Sequence, residues 1–164
     1  MKNKRTNWKK IFAIVATTLL LVFCAILIVL KLAIDPRSNS EEQVRTIALR
    51  KTPIKTVAEY YHLNRSVRSV SLAGQDSKKK NYYFIYLPKS KKAYLYDTKN
   101  GQSKKKILKI FRENHPNRIV KDINLGWYQK HAVWEVHYTK NNGKVGFVLY
   151  NFKNGEELSY IDNL

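Results

Sequence analysis

Histidine is the residue type in this sequence that is best suited to bind a metal ion or to transfer a proton near neutral pH. The chain contains four, at His62, His115, His131 and His137. His131 and His137 fall on one face of a predicted strand, but six residues of extended chain separate them by ~20 Å, which is too far to share a metal ion. His115 precedes Pro116 at a predicted helix end. We therefore expect structural histidines and no metal site.

The other residue types that support catalysis form no recognisable site. The acidic residues are mostly isolated, apart from Glu41-Glu42 at a predicted helix start and Glu156-Glu157 after a turn. No pair of carboxylates in an apolar setting indicates acid–base catalysis. The serines lack the Gly-x-Ser-x-Gly elbow, glycine-rich phosphate loops are absent, and the single cysteine, Cys24, lies in an apolar stretch. The sequence predicts a protein without catalytic residues or a cofactor, not an enzyme.

Basic residues are the main candidates for binding. The runs Lys78-Lys79-Lys80 and Lys89 with Lys91-Lys92 fall in predicted turns, where lysine is commonly solvated. Lys104, Lys105 and Lys106 begin a predicted helix, where cations oppose the helix dipole. Because this choice is locally unfavourable, we take these three lysines as candidate partner-binding residues.

Aromatic residues give a second candidate surface. All eleven tyrosines lie after the apolar stretch, and most should lie in strands, since tyrosine is a strong strand former. Tyr60, Tyr61 and Trp127 could instead form an exposed aromatic face that binds a partner.

The charge of the chain favours anionic partners. The formal net charge is +19; the ten N-terminal residues contribute +5, and residues 31–164 carry +14. Such a field attracts polyanions, among them anionic cell-wall polymer, acidic lipid head groups and nucleic acid. Nucleic acid is the least expected of these. The alternative is a solvated lysine surface that only keeps the protein soluble.

An uncharged apolar stretch near the N-terminus predicts a membrane anchor. Ile11–Leu30 contains twenty residues without a charge, and at 1.5 Å rise per residue such a helix spans the ~30 Å hydrocarbon core of a bilayer. Five basic residues precede it, whereas only Lys31 and Arg37 follow closely. The positive-inside rule places residues 1–10 in the cytoplasm as a basic tail and the residues beyond Leu30 outside the cell.

A cleaved signal peptide is the alternative to a permanent anchor. Signal peptides have a shorter apolar region of ~7–15 residues and a small-x-small cleavage site. Lys31-Leu32-Ala33 matches that site poorly, and Phe23 precedes Cys24 where a lipoprotein signal has a small residue. We therefore expect an uncleaved, single-pass membrane protein.

The pattern after the anchor predicts a linker, residues 31–39, and a first α+β module, residues 40–100. Ser40 and Gln43 have capping-box spacing at the start of a helix Ser40–Lys51, and Thr52-Pro53 ends it. Short β-rich runs separated by turn residues follow. The predicted strands are 56–64, 67–74, 81–88 and 92–98.

A shift of 63 residues aligns the first module with a second one, residues 101–164. The shift places Ser40 on Ser103 and Phe84 on Phe147, and two further residues align the last strands. The second helix is then Ser103–Asn114, and its strands are 119–128, 132–139, 144–152 and 157–162. The outer part is therefore predicted to be a tandem duplication. Modules of this size bury little surface alone, so we expect the two to pack against each other.

This arrangement resembles the TseB/YpmB-like cell wall elongation regulator family of Gram-positive bacteria, with tandem PepSY-like, cystatin-like modules. The stretch Thr56-Val-Ala-Glu-Tyr-Tyr-His-Leu-Asn64 resembles the first aromatic strand of that family. Ala132-Val-Trp-Glu-Val136, continuing to Tyr138, and the hairpin Asn151-Phe-Lys-Asn-Gly155 resemble later elements.

The resemblance implies a non-enzymatic, extracellular regulator that binds a membrane-anchored penicillin-binding protein and modulates cell wall elongation. It implies no catalytic residues. Two other functions stay open: a PepSY-like module that regulates or inhibits a peptidase, and a basic surface protein that binds wall polymer or DNA.

Overall fold

The computed structural model describes residues 8–162, and residues 31–38 through their backbone only. The chain divides into two compact units, residues 1–40 and 41–164. The first contains most of the long helix α1, Trp8–Lys51, and the second contains the end of this helix and all of the β-structure.

The N-terminal part of α1 has the properties of a membrane-spanning helix. Residues Trp8–Leu30 have a mean hydropathy of 3.0 in their most apolar window, and none of that window is buried inside the protein. The hydroxyl groups of Thr17 and Thr18 donate to the carbonyl oxygens of Ala13 and Ile14, at 2.9 Å each. Since these hydroxyl groups are satisfied within the helix, they present no unpaired donor to lipid. By length and composition this segment can cross a membrane, which fits single-pass anchoring.

The predicted linker and the predicted start of the first helix are wrong. Residues 31–39 are helical, and Ser40 lies inside α1 rather than at its N-terminus. A helix that continues through Ser40 gives its backbone N–H an internal partner, so no capping box is needed there. Pro36 lacks an N–H and removes one hydrogen bond from this stretch, but its fixed φ angle is compatible with a helix.

Eight strands follow in two antiparallel sheets, each with its strands in chain order. The helix α2, Lys104–Asn114, separates the sheets, as predicted, and Asp97 caps a 3-10 turn at Thr98–Asn100 ahead of it. The first sheet contains β1 Thr56–Asn64, β2 Arg68–Gln75, β3 Asn81–Leu87 and β4 Lys92–Asp97. The second contains β5 Arg118–Tyr128, β6 His131–Lys140, β7 Val145–Asn151 and β8 Glu157–Ile161. The predicted α+β class and the predicted strands are confirmed to within about two residues at each end.

The strand registers show that the two sheets repeat one pattern. The first strand pair of each sheet has an irregularity at the same place, between Val57 and Glu59 and between Val120 and Asp122, which are 63 residues apart. In β3 and β7 the offset is 64, because Phe84 pairs with Leu72 as Val148 pairs with Val136. The predicted match of Phe84 with Phe147 is therefore wrong by one residue. The added residue lies in the first hairpin of the second sheet, where four residues separate the paired Trp127 and Ala132, whereas three separate the corresponding pair Asn64 and Arg68.

The central strands of the first sheet, β2 and β3, are buried on both faces. The end of α1 packs on one face, where Val44 and Ala48 contact the alternating residues Val70, Leu72 and Phe84. These side chains are at most 2 % exposed. The opposite face contacts the second module, as a strand with apolar residues on both faces requires.

One core joins the two modules. Trp134 of β6 is fully buried between two tyrosines of the first sheet, with edge-to-face contacts to Tyr61 at 5.5 Å and to Tyr83 at 5.3 Å. Its indole N–H donates to the carbonyl oxygen of Gln102, at 2.8 Å. On the same face of the second sheet, Phe111 of α2 packs in the same cluster. The expected packing of the modules against each other is confirmed.

Candidate interaction surfaces

The N-terminus of α2 lies at the junction between the modules. Ser103 is its N-cap, and its side-chain oxygen accepts a hydrogen bond from the backbone N–H of Lys106, at 3.2 Å. The ammonium group of Lys104 forms an ion pair with Glu59 of β1 and lies 5.6 Å from the ring centroid of Tyr61. Lys105 is exposed, as is Lys106. Of the three predicted lysines, Lys104 therefore connects the modules, and the other two point to solvent.

Glu59 is the anion that holds Lys104 in place. Burial raises the pKa of Glu59, but the hydrogen bonds from Lys104 and Tyr61 outweigh it and hold the pKa below its ordinary value. The hydroxyl of Tyr61 donates to Oε2 of Glu59, at 2.7 Å. Burial together with this carboxylate raises the pKa of Tyr61. The cation at the helix start, unfavourable for the helix dipole, is offset by this carboxylate.

The three predicted aromatic residues do not form one exposed surface. Tyr61 is 3 % exposed and belongs to the shared core. Tyr60 is its neighbour in the strand and points to the opposite face, where it packs beside the end of α1. Trp127 is half-buried and stacks on Tyr94, with centroids 3.9 Å apart and planes 12° apart. The prediction missed that the second module would cover the face on which Tyr61 lies.

Three of the histidines each pair with a different carboxylate. His62 Nε2 lies 2.6 Å from Glu41 Oε1, and His115 Nε2 lies 3.3 Å from Glu157 Oε2. His137 contacts Glu135. Within residues 8–162, no group of three or more His, Cys, Asp or Glu residues is placed to hold a metal ion.

A buried carboxylate in the second sheet was not predicted from the sequence. Glu135 of β6 is 2 % exposed and accepts hydrogen bonds from Nε of Arg65 and from the ring of His137. Burial raises the pKa of Glu135, but these two hydrogen bonds outweigh it and hold the pKa below its ordinary value. Arg65 lies in the turn after β1, so the ion pair connects the two modules. An acid between apolar residues, two positions before a histidine on the same strand face, is the signal that could have indicated it.

Glu135 lies on the outer face of the second sheet, which we define as the face opposite α2. The face carries Glu135, His137 and Thr139 of β6 and, paired with them, Leu149, Phe147 and Val145 of β7. Leu63 of the first module packs against part of it, on Leu149. The guanidinium of Arg65 lies over the Phe147 ring, 3.4 Å from its centroid.

The rest of the outer face is open. Ile119 pairs with Thr139, and Ile161 pairs with Phe147, so both lie on this face. Ile119 is 51 % exposed, Val145 45 % and Ile161 41 %. A pocket of about 340 Å³ at this position is lined by Arg65, Lys121, His137, Tyr138, Thr139, Val145, Gly146 and Phe147.

Comparison with known proteins supports the assignment of the fold. Residues 101–161 match the PepSY family, described as "Peptidase propeptide and YPEB domain". The solved structure of the YpmB protein from Bacillus subtilis superposes with a TM-score of 0.64 over 74 % of this chain and 95 % of that chain, at 22 % identity. The fold is similar to that of YpmB. No curated protein matches the sequence significantly.

The YpmB-like fold accounts for both modules. The PepSY match covers the second module directly, and the repeated strand registers relate the first module to it. The predicted resemblance to YpmB-like proteins with PepSY-like modules is thereby confirmed as a resemblance of fold.

Proposed function

We propose that this chain is a non-catalytic regulator, anchored in the cell membrane, that binds a penicillin-binding transpeptidase and modulates cell wall elongation. The proposal is carried by one observation. Two PepSY-like modules in a YpmB-like arrangement follow an apolar helix that can span a membrane. The PepSY match in the second module supports a regulatory module rather than a catalytic domain.

The contacts between the modules support binding as a rigid body. Lys104 with Glu59, and Arg65 with Glu135, each join one module to the other, and Trp134 is buried between them. Because residues 41–164 form one compact unit, the modules present a fixed combined surface. A fixed surface reduces the ordering cost of association.

The anchor supports a partner in the same membrane. Two proteins held in one bilayer meet at a raised effective concentration, so a moderate affinity is enough for stable association. A penicillin-binding transpeptidase anchored in that bilayer would meet this condition if the modules lie outside the cell.

The experiment is cross-linking of the full chain in intact cells, followed by purification and labelling with a fluorescent β-lactam. This reagent acylates penicillin-binding proteins, so the readout names the class of partner. A labelled band that co-purifies with this chain, and not with an unrelated single-pass protein of equal abundance, is the expected result. Absence of any labelled band across cross-linkers of different length would contradict the proposal.

Regulation of a peptidase is the second candidate, favoured by the propeptide description of the PepSY family that matches residues 101–161. A propeptide-like module would bind the peptidase and slow its cleavage of other substrates. The test is the activity of secreted peptidases with and without the purified full chain in detergent. Slower cleavage without a labelled transpeptidase band would favour this candidate over the first.

A further inference from the structure

The outer face of the second sheet differs from the other sheet faces in the described part of the chain. The first sheet is covered by the end of α1 on one side and by the second module on the other. The second sheet is covered by α2 on its inner side. Its outer face, in contrast, keeps three large aliphatic side chains between 41 % and 51 % exposed.

The equivalent face of the first sheet shows what such a face can bind. At the offset of 64 residues, Phe147 and Leu149 correspond to Tyr83 and Ile85. Tyr83 and Ile85 are buried against the second module. In the first module, the corresponding sheet face therefore already forms a contact with another folded module.

The charges around the outer face indicate the chemistry of the partner that it would bind. Lys121 beside the pocket and Lys144 in the adjoining hairpin are exposed cations. The carboxylate of Glu135 is buried and engaged by Arg65 and His137, so it does not neutralise these lysines. Asp122 pairs with His137 and therefore lies on the same face. Its carboxylate oxygens accept hydrogen bonds from the backbone N–H of Ile123 and from the side-chain amide of Asn124.

We propose that the outer face of the second sheet is a docking surface for a protein segment that carries both carboxylates and apolar side chains. Apolar groups of the segment cover Ile119, Val145 and Ile161, and its carboxylates pair with Lys121 and Lys144. A second copy of this chain is disfavoured, because a two-fold contact would place the surface that carries Lys121 and Lys144 against itself, so that like charges face each other. The inference rests on the proposed function in one respect, namely that the segment belongs to the regulated membrane partner.

The test measures binding of short labelled peptides to the full chain in detergent by fluorescence anisotropy. One peptide alternates glutamate with leucine, one alternates lysine with leucine, and one alternates glutamate with serine. Only the glutamate–leucine peptide is expected to bind. Val145→Glu and Ile119→Glu should each weaken its binding by about tenfold or more. The matched control is Leu95→Glu, since Leu95 is 40 % exposed but lies on β4 of the first sheet.

Several outcomes would overturn this inference. Equal binding of the lysine–leucine or the glutamate–serine peptide would show that charge complementarity or apolar contact is not required. An equal loss in the Leu95→Glu variant would show non-specific binding or pairing to a sheet edge. A dimer in sedimentation velocity that Val145→Glu dissociates would assign the face to a second copy. Near-UV circular dichroism of the buried Trp134 checks that each variant is folded.

Failure of this inference can be distinguished from failure of the proposed function. If a β-lactam-labelled partner cross-links equally to the Val145→Glu variant, the proposed function stands and the docking surface is wrong. If no such partner is recovered, but the glutamate–leucine peptide binds and Val145→Glu abolishes binding, the docking surface stands and the proposed function is wrong.

Discussion

The guanidinium of Arg65, in a turn of the first module, donates a hydrogen bond from Nε to Oε2 of Glu135, which is buried in a strand of the second. The two residues are 70 positions apart in the sequence. The Glu135 side chain is 3 % exposed and that of Arg65 is 25 % exposed. This ion pair therefore connects the modules in a poorly solvated environment, where removal of one partner leaves a costly charge.

Arg65→Met is expected to reduce the free energy of unfolding by about 3 kcal/mol, because the Glu135 carboxylate keeps only His137 as a partner. The double variant Arg65→Met with Glu135→Leu should recover part of this loss, since it removes both charges. Denaturant unfolding of the full chain, followed by tryptophan fluorescence, measures both effects. Lys89→Met, at an exposed turn position, is the control. Strict additivity of Arg65→Met and Glu135→Leu would contradict the coupling.

The lowered pKa of Glu135 predicts a dependence of stability on pH. A carboxyl group with a lower pKa in the folded state stabilises the fold above its unfolded pKa, and this contribution is lost as the pH falls through the folded pKa. The ordinary value is 4.5. Wild-type protein should therefore lose more stability than Glu135→Gln as the pH falls from 5 towards 3, because the carboxyl group takes up its proton at a higher pH in the unfolded chain than in the folded one. Equal slopes of unfolding free energy against pH in this range would contradict the prediction.

Much of the fold was predictable because its signals are local. Alternating apolar residues and turn residues determined the strands, and Ser103 capped α2 as its sequence position indicated. The helical continuation through residues 31–39 was not predictable from these signals, since Pro36 is a usual helix breaker and the capping-box spacing of Ser40 and Gln43 indicated a helix start.

The candidate site was less predictable, because its contacts join residues far apart in the chain. Tyr61 was expected at an exposed binding surface, and only the arrangement of the two sheets shows that the second module buries it. The partner of Lys104, Glu59, lies 45 residues away. No spacing rule identifies such a pair.

Phe111 should contribute strongly to stability, because it is fully buried in the core that the modules share. Phe111→Ala should reduce the free energy of unfolding by about 3–5 kcal/mol through lost burial and the cavity left behind. Ile119→Ala, at a side chain that is 51 % exposed, is the control and should change it by less than about 0.5 kcal/mol. A comparable loss for both variants would show that the second helix does not pack as described.

Lys104 and Lys105 are neighbours with different predicted roles. Lys104→Met removes the partner of Glu59 and should lower stability by up to about 1 kcal/mol, because the pair is partly solvated. The loss should shrink at high salt, which screens exposed charges. Lys105→Met should leave stability unchanged.

If Lys105→Glu together with Lys106→Glu weakens binding of the cross-linked partner while stability is retained, the exposed lysines belong to the interface.

The orientation of the anchor predicts that residues 31–164 lie outside the cell. The single cysteine, Cys24, lies within the apolar segment, so cysteines introduced elsewhere can be labelled selectively. Ser77→Cys, in an exposed turn, should react with a membrane-impermeant maleimide in intact cells. Asn7→Cys should react only after the membrane is permeabilised, because the five basic residues near it retain this end in the cytoplasm. The reverse pattern, or a mature protein that lacks its N-terminal residues, would contradict the predicted uncleaved anchor.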